Sequence, residues 1–196
     1  PMTDAVRIAS PHRAVVGESP VWDPRTRRLY WVDIIGKVIL TLEDGAQTPL
    51  AMPTDDFPTA IGLTTDPACA VVAFAAGIAL WRIGTTEFRP FAKIGEEPEG
   101  NRLNEGAVGP DGAFWVGSMQ TNLNPDGTMR EMDRNSGAFY RVAPDGSVRC
   151  LTEHAFGIAN TLVWDEARGA MIFGDTLTQT LYRAPWPVPA TGLLTP

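Results

Sequence analysis

Apolar residues in this chain come in short runs rich in Val, Ile, Phe, Tyr and Trp, separated throughout by glycine and proline. No window of helical length keeps an uninterrupted 3.6-residue apolar period, so the pattern predicts strands. A unit recurs within it: a short apolar strand, a turn at an aspartate, then a second and more apolar strand. The turns are Trp22-Asp23-Pro24, Thr65-Asp66-Pro67, Gly109-Pro110-Asp111-Gly112 and Trp164-Asp165-Glu166, with their aspartates 43, 45 and 54 residues apart. Second strands are expected over 29–33, 71–74, 113–117 and 170–175, and third strands over 38–42, 78–83, 137–142 and 180–183. A fourth strand is readable in the first three units, at 48–52, 87–92 and 148–152.

Four strands in about 40 to 45 residues is the size of a propeller blade, whose radial repetition leaves only short edges open. The expectation is an all-β chain, one β-propeller domain over 1–196, with blades over 18–53, 60–94, 104–153 and 159–185. A β-sandwich also has many short strands, but it does not require the same four-part order at one period. The third unit is longer because of a polar loop over 118–136 that carries Asn122, Asn124, Gly127 and Asn135; long loops inside compact repeats are usually functional or mobile. After Arg183 the run Ala184-Pro185-Trp186-Pro187-Val188-Pro189 predicts a connector, because proline has no ladder donor.

Composition narrows the partners. The 196 residues are 44 % hydrophobic and 20 % charged, which suits a folded globular chain, and the net charge is -7. That charge disfavours nucleic acid and anionic membrane, leaving a small molecule as the expected partner. No run approaches the roughly 20 apolar residues of a membrane span, and no signal-peptide pattern opens the chain, so a cytoplasmic location is expected. Cys69 and Cys150 lie far apart among apolar neighbours and are expected to be buried thiols.

The connection into each blade's innermost strand borders the central channel, so polar residues there can converge. Five positions before the turn aspartates Asp23 and Asp165 stand Glu18 and Asn160, and seven before Asp111 stands Asn104; the second unit offers Ile61. An unpartnered carboxylate beside apolar strands is costly, and an all-oxygen set with one negative charge suits a hard divalent cation. The competing reading pairs Glu18 with Arg102 and gives the asparagines a structural role. Arg102 has two readings as well, a planar fork for substrate oxygens or an ion pair with Glu99 or Glu105. Glu105 is expected to point outward as a rim charge, and Asp33 and Asp175 to bind turn or inter-blade hydrogen-bond donors. His12 and His154 stand near no other ligand type, and no nucleophile elbow, phosphate loop or His-Glu-x-x-His segment occurs.

Several segments resemble the gluconolactonase/regucalcin (senescence marker protein) family. They are Gly17-Glu18-Ser19-Pro20-Val21-Trp22, Asn101-Arg102-Leu103-Asn104-Glu105-Gly106, Phe114-Trp115-Val116-Gly117-Ser118-Met119, Ile158-Ala159-Asn160-Thr161-Leu162 and Phe173-Gly174-Asp175-Thr176. The resemblance implies a six-bladed propeller of which this chain covers about four blades. It also implies one divalent cation, calcium first with zinc, magnesium or manganese as alternatives, held by Glu18, Asn160 and an Asp of a fifth-blade segment that this sequence does not contain. That Asp is the family's proposed base. Arg102 and Asn104 match substrate-binding positions, Asn122 falls where the family has a substrate-touching Glu, and Thr161 stands where it usually has Gly. The implied activity is hydrolysis of sugar lactones, the alternative being a non-catalytic metal-binding or scaffold propeller. A second chain or a further segment is the expected means of completing the ring.

Overall fold

The computed structural model describes residues 6–194. Fifteen strands form four antiparallel sheets, each meandering in chain order. The first contains β1 (Gly17–Asp23), β2 (Arg28–Asp33), β3 (Val38–Glu43) and β4 (Leu50–Pro53). The second contains β5 (Pro58–Leu63), β6 (Cys69–Phe74), β7 (Gly77–Arg82) and β8 (Phe88–Ala92). The third contains β9 (Asn101–Val108), β10 (Phe114–Gln120), β11 (Phe139–Val142) and β12 (Val148–Cys150). The fourth has three strands, β13 (Ala159–Asp165), β14 (Ala170–Asp175) and β15 (Thr180–Pro185), with one 3-10 turn at Glu166–Arg168. This is a β-propeller arrangement, and no helix among the described residues is long and apolar enough to cross a membrane.

The recurring aspartates explain why each unit turns where it does. Asp23, Asp66, Asp111 and Asp165 each accept a backbone N–H two or three residues on, from Arg25, Ala68, Ala113 and Arg168. Such a side chain supplies the acceptor that a tight turn otherwise lacks. Asp23 is buried and also held by Arg25, whose Nη1 reaches across to the Thr64 and Thr65 carbonyls and so staples the first sheet to the second.

The sheets stack through three apolar cores. Tyr30, Val32 and Ile39 of the first sheet meet Ile61, Val72 and Trp81 of the second. Val71, Ala73 and Ile78 pack on Phe114, Val116 and Tyr140 of the third, and Trp115, Phe139 and Leu151 on Leu162, Met171 and Phe173 of the fourth. Each such buried side chain contributes about 1.5–3 kcal/mol from removal of apolar surface. The strand after Arg183 runs further than proline chemistry suggested: β15 continues through Ala184 to Pro185, which an outermost strand tolerates because its outer side needs no donor. Beyond it Trp186 folds back onto Trp115 and Trp164, which also pack on each other. Both cysteines are free and half-buried rather than fully buried, and burial raises both thiols above their ordinary value.

Candidate functional site

All four inner strands lose register at about the same level. The shifts fall between Glu18 and Val21 in β1, between Pro58 and Ala60 in β5, between Leu103 and Gly106 in β9, and between Asn160 and Leu162 in β13. A bulge bends a strand and re-aims its side chains, and in β1, β9 and β13 it falls at a polar residue singled out from the sequence, Glu18, Asn104 or Asn160. Two bulged residues adopt left-handed backbone without being glycine, Ser19 at φ 52 and Thr161 at φ 62. At Ser19 the hydroxyl accepts Ile61 N at 3.0 Å and donates to Ile61 O at 3.3 Å, joining β1 to β5. At Thr161 the backbone N–H is turned onto Asn160 Oδ1 at 3.1 Å, which fixes that amide.

The inner strands surround a cavity of about 520 Å³ whose lining includes Val21, Ile61, Leu63, Val108 and Leu162, with Glu18 and Glu105 its only charged residues among those described. Burial pushes the Glu105 carboxyl up to about 7, and the Glu18 charge adds to the effect. Glu18 keeps solvent on one side, yet the protein on its other side raises its carboxyl above the ordinary value, opposed by Arg102. The Arg102 guanidinium is buried and drawn down to about 10 by that burial, with Glu18 opposing; it remains a cation at neutral pH.

Arg102, Asn104 and Asn122 meet directly. Arg102 Nη1 donates to Asn104 Oδ1 and to its neighbour's carbonyl, Leu103 O, both at 2.9 Å, and Nη2 donates to Asn122 Oδ1 at 3.0 Å. Asn104 Nδ2 reaches Ala159 O at 3.4 Å, tying β9 to β13 just before Asn160. Asn160 Nδ2 donates to Thr176 Oγ1 at 3.0 Å. Among the described residues Arg102 forms no ion pair with Glu18, Glu99 or Glu105, so the pairings that competed with its functional reading are not made.

Glu105 departs from expectation: it lies inside the cavity rather than on a rim, because the β9 bulge turns it there, and no local sequence signal announced that bulge. Asp33 and Asp175 do what was expected of them. Asp33 accepts the N–H groups of Val15, Val16 and Gly36, and Asp175 those of Gly157, Ile158, Leu177 and Thr178. The long loop of the third unit has an unforeseen destination. Its Leu123 is buried in the core between the first two sheets, and a Cβ added at Gly127 would lie within 4 Å of Ile35 and Phe57. Met129 pairs back with Leu123, so the loop is a hairpin that crosses the second sheet to reach the first.

As cation ligands, Glu18 and Asn160 offer the oxygen chemistry a hard divalent ion takes. The Glu18 carboxylate accepts no hydrogen bond among the described residues, and Asn160 Oδ1 accepts only the Thr161 N–H, so each keeps lone pairs to give. No group of three His, Cys, Asp or Glu side chains suited to an ion occurs among the described residues.

Residues 16–192 match the SMP-30/Gluconolactonase/LRE-like region. This chain belongs to the SMP-30/gluconolactonase family. Within that family it is 31 % identical to an L-arabinolactonase of Azospirillum brasilense over 173 residues, covering 87 % of this chain and 54 % of that protein. It is 28 % identical to a 6-deoxy-6-sulfogluconolactonase of Pseudomonas putida over 189 residues, covering 94 % of this chain and 60 % of that one. Among solved structures, a calcium-binding regucalcin from Agrobacterium tumefaciens superposes with a TM-score of 0.81 at 25 % identity, over 98 % of this chain and 61 % of the other. The chain thus spans a little over half the length of these SMP-30/gluconolactonase relatives.

Proposed function

We propose that this chain carries the substrate-binding side of a sugar lactone hydrolase that works with one divalent cation, calcium in the first place. The observation that carries the reading is the convergence of Glu18, Arg102, Asn104 and Glu105 at the bulged inner strands of a chain in this family. Relatives named for lactone hydrolysis support it.

In this reading Glu18 and Asn160 hold the cation through a carboxylate and an amide oxygen. When bound, it supplies Lewis-acid polarisation of the ring carbonyl. Arg102, kept rigid by Leu103 O and Asn104, presents donors to substrate oxygens, and the Asn104 and Asn122 amides complete the polar wall. Glu105, whose carboxyl burial pushes up, holds or takes a proton at its carboxylate inside the cavity. The bulky apolar residues beside it, Ile61, Val108 and Leu162, limit water around that carboxylate.

A pH-stat assay tests the reading with glucono-, galactono- and xylonolactone and added divalent metals. Acid release above the spontaneous rate, abolished by chelator, is expected. Tight cation binding with no acid release would instead leave the non-catalytic metal-binding or scaffold propeller.

A further inference from the structure

Two arginines in this chain use the same edge of the guanidinium in different ways. In Arg25 the side-on fork is filled by an anion with two oxygens: Nε donates to Asp23 Oδ1 at 2.9 Å and Nη2 to Asp23 Oδ2 at 3.1 Å. In Arg102, which is only 6 % exposed, Nη2 of that fork meets the single neutral oxygen of Asn122 at 3.0 Å. Its Nε is buried and has no hydrogen-bond partner. Among the described residues no carboxylate pairs with Arg102. A buried cation without a paired anion, and with one donor unfilled, is an unfavourable arrangement that an incoming anion relieves.

Asn122 is suited to yield its place. It is half-buried at the start of the polar hairpin, and its side chain makes no hydrogen bond among the described residues besides the one from Arg102. Its backbone is held independently, since Arg130 N donates to Asn122 O at 2.9 Å, so the amide can rotate away without unpicking the hairpin.

We propose that the Arg102 fork, occupied in the free protein by the Asn122 amide, receives an anionic group of the substrate, making acidic sugar lactones the preferred substrate class. The inference rests on the lactone-hydrolase reading for the reaction but not for the binding. Carboxylate, sulfonate and phosphate all present two oxygens at the spacing of the Nε and Nη2 donors, which gives charge-assisted bidentate bonds. The fork opens where Nη2 meets Asn122 Oδ1, and among the described residues neither Glu18 nor Glu105 pairs with Arg102 to fill it.

The test compares KM for gluconolactone, which is neutral, with those for glucarolactone and a phosphogluconolactone, using the full chain with calcium. In parallel, calorimetry measures binding of sorbitol and glucarate. The acidic lactones should show KM values at least tenfold lower, and glucarate should bind at least tenfold more tightly than sorbitol. Asn122→Glu puts a carboxylate of the chain's own into the fork and should remove that ratio, while Asn122→Ala should keep it; thermal melts confirm that each variant is folded. The two acidic substrates show whether a carboxylate or a phosphate fits better. Equal KM values for neutral and acidic lactones, or a preference that survives Asn122→Glu, would overturn the proposal. If no lactone is hydrolysed, the hydrolase reading fails by itself, and the glucarate-to-sorbitol ratio in wild type and Asn122→Glu still decides whether the fork takes anions.

Discussion

Two carboxylates and one guanidinium share the inner end of this molecule, and burial disfavours the charged form of each. Glu105 shows this most strongly, with its carboxyl pushed up to about 7 by burial and by Glu18. A carboxyl whose folded value is raised binds its proton more tightly when folded than when unfolded. Stability therefore falls as pH rises from the ordinary carboxylate value near 4.5 to about 7, then levels off. Glu105→Gln removes that titration, so in chelator the variant's melting temperature relative to wild type should climb between those limits, by up to about 3 kcal/mol of stability. A difference that stays constant with pH would show that Glu105 is not desolvated. Asp175 titrates in the opposite sense: burial pushes it up, but its backbone donors outweigh that and hold it below the ordinary value, so its contribution is lost only in acid. Thr161 carries a different strain, a β-branched residue at φ 62. Thr161→Gly adds entropy to the unfolded state but relieves that backbone, and a net gain of about 1 kcal/mol is expected in denaturant titration; a loss would mean the threonine side chain is making a contact that outweighs the strain.

At the level of elements, the local signals in the sequence were strong and the non-local ones were silent. The turn aspartates, the strands beside them and the polar position before three of the four turns are legible, because an Asx turn and an alternating strand are specified within a few residues. The meeting of Arg102 with Asn104 and Asn122 was expected from family likeness, but counting and periodicity alone left it open. The inner-strand bulges could not be read, since a bulge is defined by the partner strand, and Glu105 was accordingly assigned to the wrong side. The path of the third-unit hairpin was equally hidden, because its Leu123 is buried among residues far away in sequence. One residue anchors the far end of that hairpin. Gln120, buried at the end of β10, accepts the N–H groups of Asp133 and Arg134 and donates to Asp133 Oδ1 at 2.7 Å. Gln120→Ala should cost about 2 kcal/mol by stranding those groups. It should also raise KM for neutral gluconolactone severalfold with little change in kcat, since Asn122 sits on the loosened segment while Arg102 does not. An unchanged KM alongside faster proteolysis of the loop would show that the hairpin's position does not matter to the site.

For the whole molecule, the two end sheets differ in how their outward faces are covered. The first sheet buries Leu40 and Leu42 on the side away from the second, and the segment before β1 lies there, with His12 edge-on to Trp31 and Ser10 Oγ bonded to Gln47 O. The fourth sheet packs one face on Trp115 and Phe139, while its other face presents Val163 at 50 %, Leu181 at 70 % and the partly exposed Ile172. The register Val163↔Ile172↔Arg183 and Gly174↔Leu181 puts these side chains on one surface. In each of the other three sheets a face of this kind is covered by the next sheet, whereas this one meets no further sheet among the described residues. Isolated from such a partner, an apolar sheet face beside an outermost strand favours self-association. The 196-residue chain should therefore sediment as concentration-dependent oligomers, and Leu181→Lys should shift it toward monomer while lowering its melting temperature by no more than a few degrees, since Leu181 is mostly exposed. Oligomers that persist in Leu181→Lys would move the contact to another surface. A chain that is monomeric at all concentrations would mean that this face tolerates water without a partner, and that the propeller does not depend on a fifth sheet to stay soluble.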